Sequence, residues 1–228
     1  MTDTTCTAPL FPLPHGSILP GELLHIHIFE PRYRRMMEIV RDKECILAIA
    51  SILPGYEAYV ADDPPLSDVV GLGRVIKDRL NPDETSDVAI HGLARATIEE
   101  EIDNGEPFRE AHLSLPPDPA EHPSESYRLT RDLFLGLSKR VRNRRFHCDI
   151  TNAVPLGKLV DRIAGSLELP PDQRAFFMQS IDLEERIGLL LETLRKRQHR
   201  ARFIDIIPSL THFSLSMDAV GATKRGRS

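Results

Sequence analysis

Apolar and polar residues alternate over residues 24–28, where Leu24, Ile26 and Ile28 interleave with His25 and His27. That two-residue period predicts a half-buried strand. The period changes after Phe29. Tyr33, Met36, Met37 and Val40 fall at i, i+3, i+4 and i+7, which is one face of a helix. Pro31 suits the first turn, because its fixed φ is helical and its missing N–H would be unpaired there. Glu30 stands where a carboxylate meets free N–H groups and the positive end of the helix dipole. Arg32, Arg34 and Arg35 lie within its reach or face water. This strand–helix corner is expected to organise the rest of the chain.

Residues 1–9 read as disordered. Residues 45–52 form one continuous apolar run, enough for a buried strand. Residues 53–68 hold Pro54, Gly55, Asp62, Asp63, Pro64 and Pro65 and read as a loop. Residues 69–76 predict a strand in which Gly71 and Gly73 mark a bulge or a close backbone contact. Asn81-Pro82-Asp83-Glu84 is a turn. Residues 87–92, 94–102 and 108–115 read as three more strands, with Asn104-Gly105 as a hairpin signal.

A Pro-rich link at 116–123 precedes a change to helical periods. Helices are expected over 127–145, along the stripe Leu156, Leu159, Val160, Ile163 and Leu167, and from Pro170-Pro171-Asp172 onward. Asp182 followed by Glu185 resembles a capping box opening a fourth. Arg195, Lys196 and Arg197 favour the negative end of its dipole. The expected organisation is a β-rich region over 9–118, a helical bundle over 124–205 and a loose tail over 206–228.

Composition narrows the class. With 228 residues, 41% hydrophobic and 28% charged, the chain has ordinary material for a soluble core. A net charge of −5 gives no general attraction to nucleic acid or acidic lipid. No apolar run approaches the ~18 residues of a membrane span. The polar start is not a secretory signal. Cys6, Cys45 and Cys148 are odd in number and far apart, as expected of free thiols in a reducing compartment, so the cytoplasm is the expected location.

Three ordered motifs carry a family resemblance. Leu10-Phe11-Pro12-Leu13, Leu19-Pro20-Gly21 and Ile28-Phe29-Glu30-Pro31-Arg32-Tyr33 together resemble the opening of the Lon protease N-terminal domain, the Lon substrate-binding domain. The resemblance continues through Gly71 and Gly73, through Gly92 and Arg95, and into the helical end around Arg186. It covers residues 10–200 and stops where the protease begins. It implies an α+β fold: a partly open, PUA-like β-barrel with one helix, followed by a C-terminal helical bundle. It also implies binding of exposed or partly unfolded polypeptide, with a protease or chaperone as a further partner.

Catalysis is tested against the residues. An ATP site needs a Gly-rich loop ending in Gly-Lys-Ser/Thr, whose N–H groups hold phosphate. Gly157-Lys158 is followed by Leu159 inside a helical stripe and is no such loop. The Ser–Lys dyad that the family uses belongs to a peptidase domain beyond the resemblance. No catalytic, cofactor-binding or metal-binding residue is assigned, and a non-catalytic binding protein is expected. His25 and His27 share a strand face but have no third ligand at suitable spacing. Glu99, Glu100, Glu101 and Asp103 read as a solvated strand end rather than paired acid/base carboxylates. Cys45 reads as a core thiol. Cys148 follows Arg144, Arg145 and His147, which would depress its pKa, but has no acid/base partners.

Two alternatives remain at this stage. Arg140, Arg142, Arg144 and Arg145 form a basic cluster that a nucleic-acid module could use, yet stacking aromatics beyond Phe146 are scarce. The other is a small hydrolase with an unrecognised site. Glu30, Pro31, Arg32 and Tyr33 read as structural rather than as a peptide groove, because their spacing matches helix initiation.

Overall fold

The computed structural model describes residues 4–14, 16–42, 45–58, 63–117, 125–140, 154–167 and 169–198. Six strands and five helices occur among them. They are β1 (Thr4–Leu13), β2 (Leu23–Ile28), α1 (Pro31–Asp42), β3 (Ile46–Ser51), β4 (Val69–Leu80), β5 (Ser86–Ile102) and β6 (Glu110–Leu115), then α2 (Glu125–Arg140), α3 (Leu156–Ser166), α4 (Pro171–Gln179) and α5 (Leu183–Gln198). The α+β class and the β-then-α order follow the sequence patterns.

The strands form one mixed sheet in the order β2-β5-β4-β3-β1-β6, and β5 also pairs with β6. Residues 86–91 of β5 pair with β2 and residues 97–102 with β6, so the long strand serves two partners in turn. The sheet curls back on itself without making a clean barrel. Among the described strand pairs only β1 and β3 run parallel.

Three sequence expectations need correction. The segment expected to be disordered starts a strand at Thr4: β1 pairs with β6 over Thr4–Pro9 and with β3 over Leu10–Leu13. Two neighbours hold this Thr- and Pro-containing segment extended, which no local pattern announces. The strands expected at 87–92 and 94–102 are one, β5, with Gly92 inside it. Cys45 is not in a strand; its φ of 58° places it in a left-handed turn after α1, with its N–H donating to the Val40 carbonyl.

Among the described residues, two core clusters involve the sheet. Tyr33, Met36, Met37 and Val40 of α1 pack with Phe11, Ile18, Ile28, Leu47 and Ile90. The other joins Ala8, Leu10, Ala48, Val70, Leu72, Ala96 and Leu113. The first cluster is the amphipathic face of α1 that the i, i+3, i+4, i+7 pattern predicts.

The 53–68 loop is anchored at its ends. Leu53 N–H donates to the Pro65 carbonyl at 3.0 Å, and Ile52 bridges Leu66. Among the described residues no helix is long and apolar enough to cross a membrane. The chain divides into two compact units, residues 1–187 and 188–228. The second contributes the continuation of α5, where Glu192 pairs with Lys196 at 2.7 Å.

Candidate functional site

In α3 an apolar stripe of Leu156, Leu159, Val160, Ile163 and Ala164 is buried, and Asp161 is buried with it. A carboxylate in such a stripe needs a partner, because an unpaired buried charge is costly. Arg95 of β5 supplies it. Its Nη1 and Nη2 donate to Asp161 Oδ2 and Oδ1 at 2.8 and 2.9 Å, the bidentate geometry that the guanidinium favours. Its Nε donates to the Met178 carbonyl at the end of α4, at 3.2 Å. Arg186 of α5 donates from Nη1 to both Asp161 oxygens, at 3.0 and 3.1 Å. Arg95, Asp161 and Arg186 are only 6%, 2% and 4% exposed. One residue from the sheet thus meets three helices around a single carboxylate.

The cluster holds two guanidinium groups around one carboxylate, and the Asp182 carboxylate also acts on Arg186. Burial lowers the Arg186 pKa, Asp161 opposes that shift and Arg95 adds to it. Arg186 still keeps its charge, since a guanidinium is not deprotonated in proteins. Arg186 Nε is buried and has no hydrogen-bond partner.

A cleft of about 80 Å³ opens beside this cluster. Arg186, Gly157 and Lys158 line it, together with Pro20, Pro117 and Ile181. The N-terminus of α3 borders the cleft at Gly157. Its cap residue is Pro155, no side chain caps it, and its first turn holds no acidic residue. A Cβ on Gly157 would lie 3.7 Å from Arg186 Nη2.

A second link lies on the segment 17–22 that crosses the sheet. Gly21 has φ 84° and donates to the Gly92 carbonyl at 2.8 Å, while Gly92 N–H donates back to Glu22 at 2.8 Å. A Cβ on Gly92 would stand 2.2 Å from the Leu19 carbonyl oxygen, and one on Gly71 2.4 Å from that of Ile18. A Cβ on Gly73 would stand 2.5 Å from the Ile90 side-chain methyl, and the β4–β5 register shifts at Leu72/Gly73. Glu22, the buried last residue of this segment, accepts from the Leu19 N–H at 3.0 Å and pairs with Arg174 of α4.

At the strand–helix corner the Glu30 carbonyl accepts from the Tyr33 and Arg34 N–H groups at 3.1 and 2.9 Å. The Glu30 side chain instead accepts from Arg32 Nε at 3.0 Å. Tyr33 is buried against Phe11, with ring centroids 4.5 Å apart, and Arg32 lies over its ring at 4.6 Å. Burial pushes the Tyr33 phenol up to about 12, and its hydroxyl has no partner. Pro12 and Leu13 sit opposite Ala50 and Ser51 in the sheet, and Phe29 is 62% exposed.

The structure therefore brings Arg95 and Arg186 of the sequence-derived set together, and gathers Pro20, Gly21, Gly71, Gly73 and Gly92 at the crossing segment. Phe11, Glu30, Pro31, Arg32 and Tyr33 stand apart at the corner. Sequence reasoning missed Asp161, Glu22 and Arg174. The signal for Asp161 was a lone carboxylate inside the apolar stripe of α3.

The remaining candidates are dispersed. His27 Nδ1 pairs with Asp87 at 2.8 Å on an exposed strand face. Glu101 accepts from Arg109 Nε at 2.7 Å, and Glu99 accepts from the Ser114 hydroxyl. Among the described residues no group of three His, Cys, Asp or Glu could hold a metal ion. Arg142, Arg144, Arg145, His147 and Cys148 lie outside the described residues, as does the tail at 206–228.

Comparison with known proteins gives a consistent assignment. A family model described as the ATP-dependent protease La (LON) substrate-binding domain matches residues 7–196. Lon protease of Brevibacillus choshinensis is 26% identical over 201 residues, which is 83% of this chain and 25% of that one. Lon protease of Heliobacterium modesticaldum is 27% identical over 199 residues, 82% of this chain and 24% of that one. The chain spans about a quarter of the length of the curated relatives it matches. A Lon N-terminal domain protein from Xanthomonas campestris has a similar fold, with a TM-score of 0.57 and 20% identity, over 82% of this chain and 98% of that one. The N-terminal domain of a Mycobacterium avium complex Lon protease gives 0.58 and 18%, over 82% and 97%.

Proposed function

The chain belongs to the Lon substrate-binding domain family, and on that premise we propose that it is a non-catalytic module that binds exposed or partly unfolded polypeptide. In this reading it presents bound chains to a protease or chaperone partner, and it acts in the cytoplasm. The observation that carries the reading is the family match along residues 7–196. The cleft where the sheet meets the helices, with Pro20, Pro117 and Ile181 beside the Arg95–Asp161–Arg186 cluster, is one candidate surface for a peptide segment. The 53–68 loop is a second candidate surface, with Tyr56 48% exposed.

The test compares an unfolded protein with its native form. Immobilised protein should retain a reduced and alkylated model protein and let the native one pass. Equal retention of both, or of neither, would overturn the reading. Purified protein should show only background cleavage of casein and background ATP hydrolysis. Turnover that survives a second purification would overturn the non-catalytic part.

A further inference from the structure

We propose that the open edge of β2, with the basic sheet face beside it, takes an extended polypeptide segment as an added strand, and that this segment alternates acidic and apolar residues. The proposal rests on the polypeptide-binding reading and adds to it the place and the chemistry of contact.

β2 stands at the end of the sheet order, and among the described residues β5 is its one strand partner. The Gly92 N–H donates to the Glu22 carbonyl, which fixes the alternation along the strand. Leu24, Ile26 and Ile28 turn their backbone groups toward β5, and Leu23, His25 and His27 turn theirs away. The Asn81 N–H, donating to the Thr85 carbonyl across the β4–β5 turn, gives the same phase from the other side of β5. Among the described residues no backbone group meets Leu23, His25 or His27 from outside. The strand holds no proline or lysine, and its pairing with β5 has no bulge, so the usual blocks to an edge are missing. A groove of about 340 Å³ opens beside the start of β2, lined by Leu23, Leu24 and His25 with Gly16, Ser17 and Arg174. A strand edge is the natural complement of another backbone.

Charge selects the segment. Directly opposed residues share a face, so His25 and His27 stand in rows with Lys77 and Arg79 of β4, and Arg74 lies on the same face opposite His91. Arg74, Lys77 and Arg79 are exposed, and none forms an ion pair among the described residues. By contrast Arg32, Arg34, Arg35, Arg41, Arg109 and Arg174 each pair with an acid. Asp87 is on the basic face; it pairs with His27 at 2.8 Å, and the Arg79 charge acts on it. Asp83 in the turn is held by Thr85. Asp78 lies on the opposite face with Arg41, and Glu84 is taken by Arg34. Three cations against Asp87 and Asp83 leave the face positive, on a chain whose net charge is −5. β4 lies about 10 Å from β2, and its long side chains shorten that reach, so its cations bear on an incoming strand through a salt-sensitive field.

The other face of β2 suits apolar residues, because Leu24 and Ile26 pack on the first core cluster yet are only partly buried. A second copy of β2 fits the edge poorly. Antiparallel self-pairing would set histidines against histidines and bring two positive faces side by side.

The experiment titrates the whole protein with fluorescent peptides of alternating Val and Glu, or of alternating Val and Lys. The Glu peptide should bind about tenfold more tightly, and the advantage should shrink with salt. Equal affinities overturn the charge selection. Two further Glu peptides are N-methylated, one at every Val and one at every Glu, so that each loses the N–H groups of one edge. One of them should lose binding and the other should bind like the parent; equal behaviour overturns strand addition. His25→Pro should keep the fold, because that N–H faces away from β5, and should abolish peptide binding. Reversing Arg74, Lys77 and Arg79 to Glu leaves the edge intact and should switch the preference to the Lys peptide. An unchanged preference overturns the placement. A dimer that His25→Pro dissolves makes a second copy the occupant and overturns the proposal, as does displacement of the peptide by single-stranded RNA of equal charge. Each of these failures, with retention of the unfolded model protein intact, spares the polypeptide reading.

Discussion

Two arginine–carboxylate arrangements in this molecule use the same chemistry in opposite surroundings. At the strand–helix corner, Arg32 and Glu30 form one contact, with side chains 17% and 32% exposed. At the junction of sheet and helices, Arg95, Asp161 and Arg186 form four contacts with almost no exposure. Water screens the first pair and would replace either partner at little cost. Water does not reach the second, so each charge there depends on the others. The difference shows where a local motif gives a corner its shape and where distant residues must be present together.

Removing the shared carboxylate should separate the two most sharply. Asp161→Ala leaves two buried guanidinium groups unpaired and should destabilise the protein by about 3–5 kcal/mol, seen in denaturant unfolding. Replacing Arg95, Asp161 and Arg186 together with Met, Leu and Met should cost far less than the single change, because no buried charge remains. A triple variant as damaged as Asp161→Ala would show that the cluster matters through shape rather than charge.

The crossing segment can be stressed without touching any charge. Gly92→Ala puts a methyl group 2.2 Å from the Leu19 carbonyl oxygen, so the backbone of residues 17–22 must shift. A loss of about 1–3 kcal/mol is expected. An unchanged melt would mean that this segment yields freely and does not fix Glu22 against Arg174.

At the corner the effects should be smaller. Glu30→Ala should cost about 0.5–1 kcal/mol, because it removes a partly exposed pair while the Glu30 carbonyl still starts the helix. A loss as large as that of Asp161→Ala would erase the contrast between the two regions.

Tyr33 gives the mildest test. Its phenol is raised from 10.0 to about 12 by burial. Folding therefore favours the protonated form, and that contribution is complete below pH 10 and lost as pH rises through about 12. Ultraviolet titration should show one of the four tyrosines ionising late. Tyr33→Phe should abolish the late step and change stability by less than about 1 kcal/mol, since the hydroxyl has no partner to lose. Ionisation of all tyrosines near pH 10 would show that Tyr33 is open to water.

Several parts of this architecture were written in local sequence. The period change at Phe29 placed β2 and α1, and Pro31 placed the helix start to the residue. Asp182 accepts the N–H groups at the start of α5, as its spacing to Glu185 implied. The close packing expected at Gly71 and Gly73 was legible because strands rarely carry glycine without a reason. These features depend on neighbours within a few residues, where side-chain period and backbone preference act directly.

Tertiary structure decided the rest. β1 is extended because β3 and β6 hold it from two sides, and its own residues give no such period. β5 continues through Gly92 because its partners change along its length, which the sequence between them does not record. Arg95 and Arg186 belonged to a sequence motif, but their meeting at Asp161 spans 66 and 25 residues of chain. Only a folded core can bring those groups out of water together, because each buried charge needs its partners at hand before water leaves.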